Sequence, residues 1–124
     1  MRVLVLVKNT ADSDKTGFVP TPEAKASMEA MGKFNDELRK AGVLVMAEGL
    51  KTSSHGKRVT FDGADRNVID GPFNAPPDEL DAGFWIWEVK DMDEAVAWVK
   101  RCPNPMPERS VIEIRPLATA DDLK

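Results

Sequence analysis

The chain has one histidine and one cysteine, which leaves few choices for acid–base and nucleophilic chemistry. Histidine is the residue type that titrates near neutrality without help from its surroundings. His55 sits in Thr52-Ser53-Ser54-His55-Gly56, a small polar run that reads as a loop. As a general base it needs a carboxylate to orient its ring, and Asp70 and Glu48 are the candidates. The competing reading is a solvent-exposed loop histidine. Asp70 opens Asp70-Gly71-Pro72-Phe73, where Asp before Gly-Pro ends a strand in a tight turn. Its carboxylate either accepts backbone N–H bonds across that turn or meets a donor on a ligand. Cys102 precedes Pro103 and has only Arg101 as an adjacent cation, so it reads as an inert, partly buried thiol.

One His and one Cys exclude a Cys/His zinc cage. The carboxylates Glu48, Asp70, Glu79, Glu88 and Glu113 are of the type that holds Mg²⁺ or Ca²⁺. Their spacing matches no metal-binding loop, so they read as solvated acids and no metal is expected.

A second group is aromatic and charged. Trp85 and Trp87 lie two apart in Gly83-Phe84-Trp85-Ile86-Trp87 and so share one face of a strand. In the last strand Ile112 and Ile114 share a face, and Val111, Glu113 and Arg115 share the other. Helices need the purely apolar face, which assigns Glu113 and Arg115 to an uncovered one. Trp85 and Trp87 placed there, with Glu48, would line a pocket for a small anionic or aromatic ligand. The same residues suit a dimer interface. Two sheets that meet can enclose a pocket, so the readings are compatible.

The elements that position these residues follow from pattern. Arg2 to Val7 is a continuous apolar and β-branched strand, and Asn9 to Gly17 reads as a loop. Thr21-Pro22-Glu23 supplies a helix cap, a first-position proline and a first-turn acid. Ala24, Met28, Met31, Phe34 (or Asn35) and Leu38 then recur at helical spacing, and Gly42 closes the helix. Val43 to Ala47 is a second strand. Arg58 to Phe61 and Asn67 to Ile69 form a hairpin about Asp62-Gly63, and Asp70 to Asp81, with three prolines, is irregular. Gly83 to Val89 is the strongest strand signal. Asp91 and Glu94 cap a second helix with Met92, Ala95, Val96 and Val99 on its apolar face. Pro103, Pro105 and Pro107 stop it, Val111 to Arg115 is the last strand, and 118–124 reads as a frayed tail.

The order is β-α-β, a hairpin, then β-α-β. It predicts an α+β, ferredoxin-like split βαβ, with two helices on one face of an antiparallel sheet and the other face open. The 124 residues fit a single domain, with 42% apolar and 31% charged residues. A net charge of −4 without a basic stripe argues against nucleic-acid binding. No apolar run is long enough for a membrane span, and the lone cysteine allows no internal disulfide. A cytoplasmic location is the default expectation.

Eight blocks, in order, resemble the YCII-related family in its DGPF-motif branch. They are Ala41-Gly42-Val43-Leu44, Glu48-Gly49-Leu50, Asp70-Gly71-Pro72-Phe73, Gly83-Phe84-Trp85-Ile86, Asp93-Glu94-Ala95, Trp98, Arg101-Cys102-Pro103 and Glu113-Ile114-Arg115-Pro116. The resemblance runs from Val3 to Pro116 and implies a ferredoxin-like fold that pairs into a dimeric α/β barrel. Two departures matter. The branch usually follows its motif with Ala-Glu-Thr-Lys-Glu, whereas this chain has Asn74-Ala75-Pro76-Pro77-Asp78-Glu79. Better-known relatives also carry a first-helix histidine that works with an aspartate, and none lies between Glu23 and Ala41. By analogy the branch suggests signalling linked to extracytoplasmic-function sigma factors, and the wider superfamily includes isomerases, dehydrohalogenases and monooxygenases.

Two functions follow. The first is a small-molecule binding or regulatory homodimer. The second is a cofactor-independent enzyme acting on small organic acids or ring compounds through His55 and Asp70. A His55 bound to a carboxylate and facing an enclosed pocket favours the enzyme, and an exposed His55 favours the binding module. Neither reading needs a cofactor.

Overall fold

The structure is a computed structural model that describes residues 1–10, 12–17 and 19–124. Strand β1, Arg2–Lys8, alternates Val3, Val5 and Val7 on one side with Leu4 and Leu6 on the other. Both sides are apolar, as a central strand requires. After it a single helical turn, α1 (Ser13–Thr16), occupies part of the segment expected to be loop. The Ser13 hydroxyl accepts from Thr10 N at 2.8 Å and donates to Asn9 Oδ1 at 2.6 Å, which holds that turn. Ala11, in the same expected loop, lies outside the described residues.

Helix α2, Pro22–Lys40, begins where Thr21 accepts a bond from Ala24 N at 3.1 Å. Proline sits in its first turn and Arg39 and Lys40 in its last, both favourable to the helix dipole and its unpaired groups. Gly42 then adopts a left-handed φ of 73° that a side chain would resist. The expected stripe is fully covered only towards its C-terminal end. Phe34 and Leu38 are buried and Met31 is partly buried, whereas Met28 is 60% exposed. Helical spacing marks which residues can share a face, not how far a neighbour extends to cover it.

Strand β2, Leu44–Gly49, follows, and a hairpin comes next, made of β3 (Lys57–Asp62) and β4 (Asp65–Asp70). The core strand β5 is Asp81–Glu88, helix α3 is Met92–Arg101, and β6 is Ile112–Pro116. Asp91 Oδ1 accepts from Glu94 N at 2.9 Å, and Glu94 Oε1 accepts from Lys90 N at 2.6 Å. That exchange satisfies two orphan donors at the start of α3. The last residues form an exposed turn in which Asp122 accepts from the Thr119 backbone and hydroxyl.

The four-stranded sheet runs β2-β5-β1-β6 with every neighbouring pair antiparallel. This is the expected ferredoxin-like order, open at both edges and not closed into a barrel. Phe34 and Leu38 of α2 and Ala95 of α3 pack with Val3, Val5, Trp85 and Trp87 in one core, so both long helices lie on one face. Among the described residues, no helix is long and apolar enough to cross a membrane.

The register corrects one expectation. Trp85 lies opposite Val5 and Trp87 opposite Val3, and directly paired residues share a face. Both indoles therefore point into the helix-covered core, 4% and 0% exposed, with Phe34 edge-on to each at 6.2 Å. The open face carries Leu4, Leu6, Phe84 and Ile86, all half-buried, with Met46 and Glu48 beside them. Glu113 pairs with Leu6 and Arg115 with Leu4, on the open face as expected. The two parities of β5 are equally apolar, so alternation alone does not assign them. Bulk decides, because the wide indoles fill the space between the sheet and two helices.

Candidate functional site

The chain leaves β2 through Leu50–Thr52 and makes one 3-10 turn at Ser53–His55. Ser53 connects three segments. Its backbone N–H donates to Asp14 Oδ1 at 2.6 Å, and its hydroxyl donates to Asp14 Oδ2. The same hydroxyl accepts from Phe73 N at 3.1 Å. One small residue thus joins α1, the turn and the Asp70–Phe73 tetrapeptide.

Each residue of that tetrapeptide has a separate structural task. Asp70 sits opposite Lys57 at the base of the hairpin and receives its ammonium in an ion pair. Gly71 donates to Gly56 O at 2.9 Å, and a Cβ there would lie 1.7 Å from Ser53 O. Only glycine fits. The Gly71–Pro72 peptide is cis and leads into Phe73. The Phe73 ring packs beside Gly56, and the Arg58 guanidinium lies over it, 4.2 Å from the ring centroid.

These contacts build one wall of an open cleft of about 470 Å³. Its lining runs from Leu50 to Ser53, adds His55, Gly56, Arg58 and Phe73, and is completed by Asp14 and Glu79 to Asp81. Two of its carboxylates are occupied. Asp14 is held by Ser53, and Asp81 Oδ1 accepts from Lys8 Nζ at 2.9 Å. Among the described residues, the side chains of Lys51, His55, Arg58 and Glu79 have no hydrogen-bond or ion-pair partner.

The expected pairing of His55 with a carboxylate does not form. Asp70 faces Lys57 and is absent from the cleft lining, and Glu48 lies on the open sheet face. His55 is exposed in the cleft wall. The reason is register: Asp70 closes a strand pair, and the antiparallel ladder commits its side chain to Lys57. Trp85 and Trp87 are in the core, so they line neither this cleft nor a pocket on the open face. Glu113 and Arg115 form a loose exposed pair at 3.5 Å, also outside the cleft lining. Among the described residues, no three His, Cys, Asp or Glu side chains converge as a metal site would require.

Asp14, Ser53, Arg58 and Phe73 were not singled out in the sequence as site residues. Phe73 was visible within its motif. The Ser53–Asp14 contact spans 39 positions, and nothing local marks it. Cys102 lies at the end of α3, where burial pushes its thiol up to about 11, so it stays protonated and poorly nucleophilic at neutral pH.

The family model of the YCII-related domain matches residues 1–120. The chain belongs to that family. No curated protein matches it. In this YCII-related chain the Asp70–Phe73 tetrapeptide acts on backbone geometry, as a clasp for the turn that bears His55.

Proposed function

We propose that this YCII-related chain is a small-molecule binding or regulatory module that works as a homodimer, with its ligand in the cleft bounded by Ser53, Arg58 and Phe73. One observation carries the reading. The cleft wall is held from three segments by Ser53, while the polar ends of Lys51, His55, Arg58 and Glu79 are left without protein partners. A fixed wall with unspent polar groups suits recognition. General acid–base catalysis asks for more, namely a base whose ring is held in place, and among the described residues the His55 imidazole has no such contact.

The homodimer rests on the open face. Leu4, Leu6, Phe84 and Ile86 form a continuous apolar strip across β1 and β5, rimmed by Glu48, Glu113 and Arg115. An apolar centre with a polar rim is the usual anatomy of an interface. Two copies meeting there would form the dimeric barrel that the family resemblance implies. A cytoplasmic, sigma-factor-linked role agrees with the DGPF-type motif by analogy.

Sedimentation at micromolar concentration tests the assembly, and a population of monomer alone would end that part of the proposal. Binding is tested by screening small molecules for movement of the cleft amides. Binding that survives His55→Ala is expected. A turnover abolished by His55→Ala, with the fold intact, would favour the enzyme instead.

A further inference from the structure

We infer that the ligand of this cleft is a small organic carboxylate, gripped by Arg58 across the edge of its guanidinium. The inference rests on the binding reading above and names the chemistry of the same site. Arg58 is oriented before any ligand arrives. Its guanidinium carbon lies over the Phe73 ring, 4.2 Å from the centroid, and Phe73 is tethered in turn through its N–H to the Ser53 hydroxyl. A ring offers no carboxylate or carbonyl oxygen, so this contact leaves the N–H donors of the guanidinium for a ligand.

Those donors are unspent. Arg2, Arg39, Arg101 and Arg115 each face a carboxylate, and Arg66 donates to backbone carbonyls. Among the described residues, Arg58 and Arg109 make no such bond, and of these two Arg58 lines the cleft. Of the cleft's own acids, Asp14 is bound by Ser53 and Asp81 by Lys8, which leaves Glu79. Lys51, Arg58 and Glu79 then remain unpaired, and because neutral Ser53 does not cancel the formal charge of Asp14, the cleft has no net excess of charge; the free fork of Arg58 is what a ligand meets. A planar fork of N–H donors matches a carboxylate in shape. Leu50, Leu80 and the Phe73 ring edge supply apolar surface for a short hydrocarbon or aromatic body.

The test is an NMR titration of ¹⁵N-labelled protein at constant ionic strength with benzoate, benzamide, benzylammonium and inorganic phosphate. Benzoate is expected to move the amides of Ser53, Gly56 and Phe73 and the Arg58 side-chain Nε. Benzamide and benzylammonium should bind about tenfold more weakly or worse, since a charge-assisted bond is lost. Arg58→Lys keeps the charge and loses the fork, and should weaken benzoate by about tenfold. Unchanged spectra away from the cleft would show that the variant folds. Phosphate or benzylammonium binding there as tightly as benzoate would overturn the carboxylate while leaving a binding site. Benzoate affinity indifferent to Arg58→Lys would also overturn it. If no probe moves the cleft amides, the binding reading falls and takes this inference with it.

Discussion

The stretch from Ser53 to Phe73 contains two structures with opposite character, a tight root and a loose arm. At the root, Ser53, Gly71 and Phe73 interlock, and a single added methyl has nowhere to go. The arm built on it, β3 and β4, is exposed at all of its residues on both faces, including Phe61 at 73%. Two-stranded ribbons are marginal alone, so this one depends on its root, the Lys57–Asp70 ion pair and its own ladder. Apolar content does not separate the two regions, since Val59, Phe61, Val68 and Ile69 are as apolar as a core strand. Long-range packing does.

Substitutions should grade this contrast. Gly71→Ala should have the largest effect, because its Cβ meets a backbone carbonyl that cannot rotate away. Overpacking costs about 1–3 kcal/mol and occasionally more, and a 1.7 Å approach to a backbone oxygen belongs at the top of that range. Urea denaturation that finds a loss below about 1 kcal/mol would show that the root has slack. Ser53→Ala comes next, at about 1–3 kcal/mol, since Asp14 and Phe73 N each lose a partner. The Phe73 and Gly56 amide resonances should shift with it, and an unchanged spectrum would remove Ser53 from the role of tether.

Asp70→Asn should cost less than about 1 kcal/mol, because the Lys57 pair is exposed and screened. The same variant should leave benzoate binding unaltered, and a lost response would return Asp70 to the site. Val59→Thr with Phe61→Ser should change the stability of the isolated protomer least, by under about 0.5 kcal/mol. A larger loss in thermal denaturation would mean that the arm is already packed on something. Carried out together, the four variants sharpen the boundary between root and arm.

Much of the scaffold was legible from local chemistry. The caps at Thr21 and Asp91 form as read, because each is a contact between residues three apart. The hairpin turns where Asp62-Gly63 indicated, though its strands extend further, to Lys57 and Asp70. The site was less legible. His55 does line a cleft, but the carboxylate sought for it belongs to Lys57, and the tryptophans sought for a pocket belong to the core.

Sequence alone therefore determined the order of the six strands and the two long helices, and the caps that begin those helices. Those features depend on neighbours within a few positions. Tertiary structure decided which face of β5 the helices cover, which acid reaches which base, and that Arg58 rests on Phe73. Each is a matter of parity or of contact between residues far apart in the chain. A strand apolar on both sides is satisfied by either assignment until the helices settle on one.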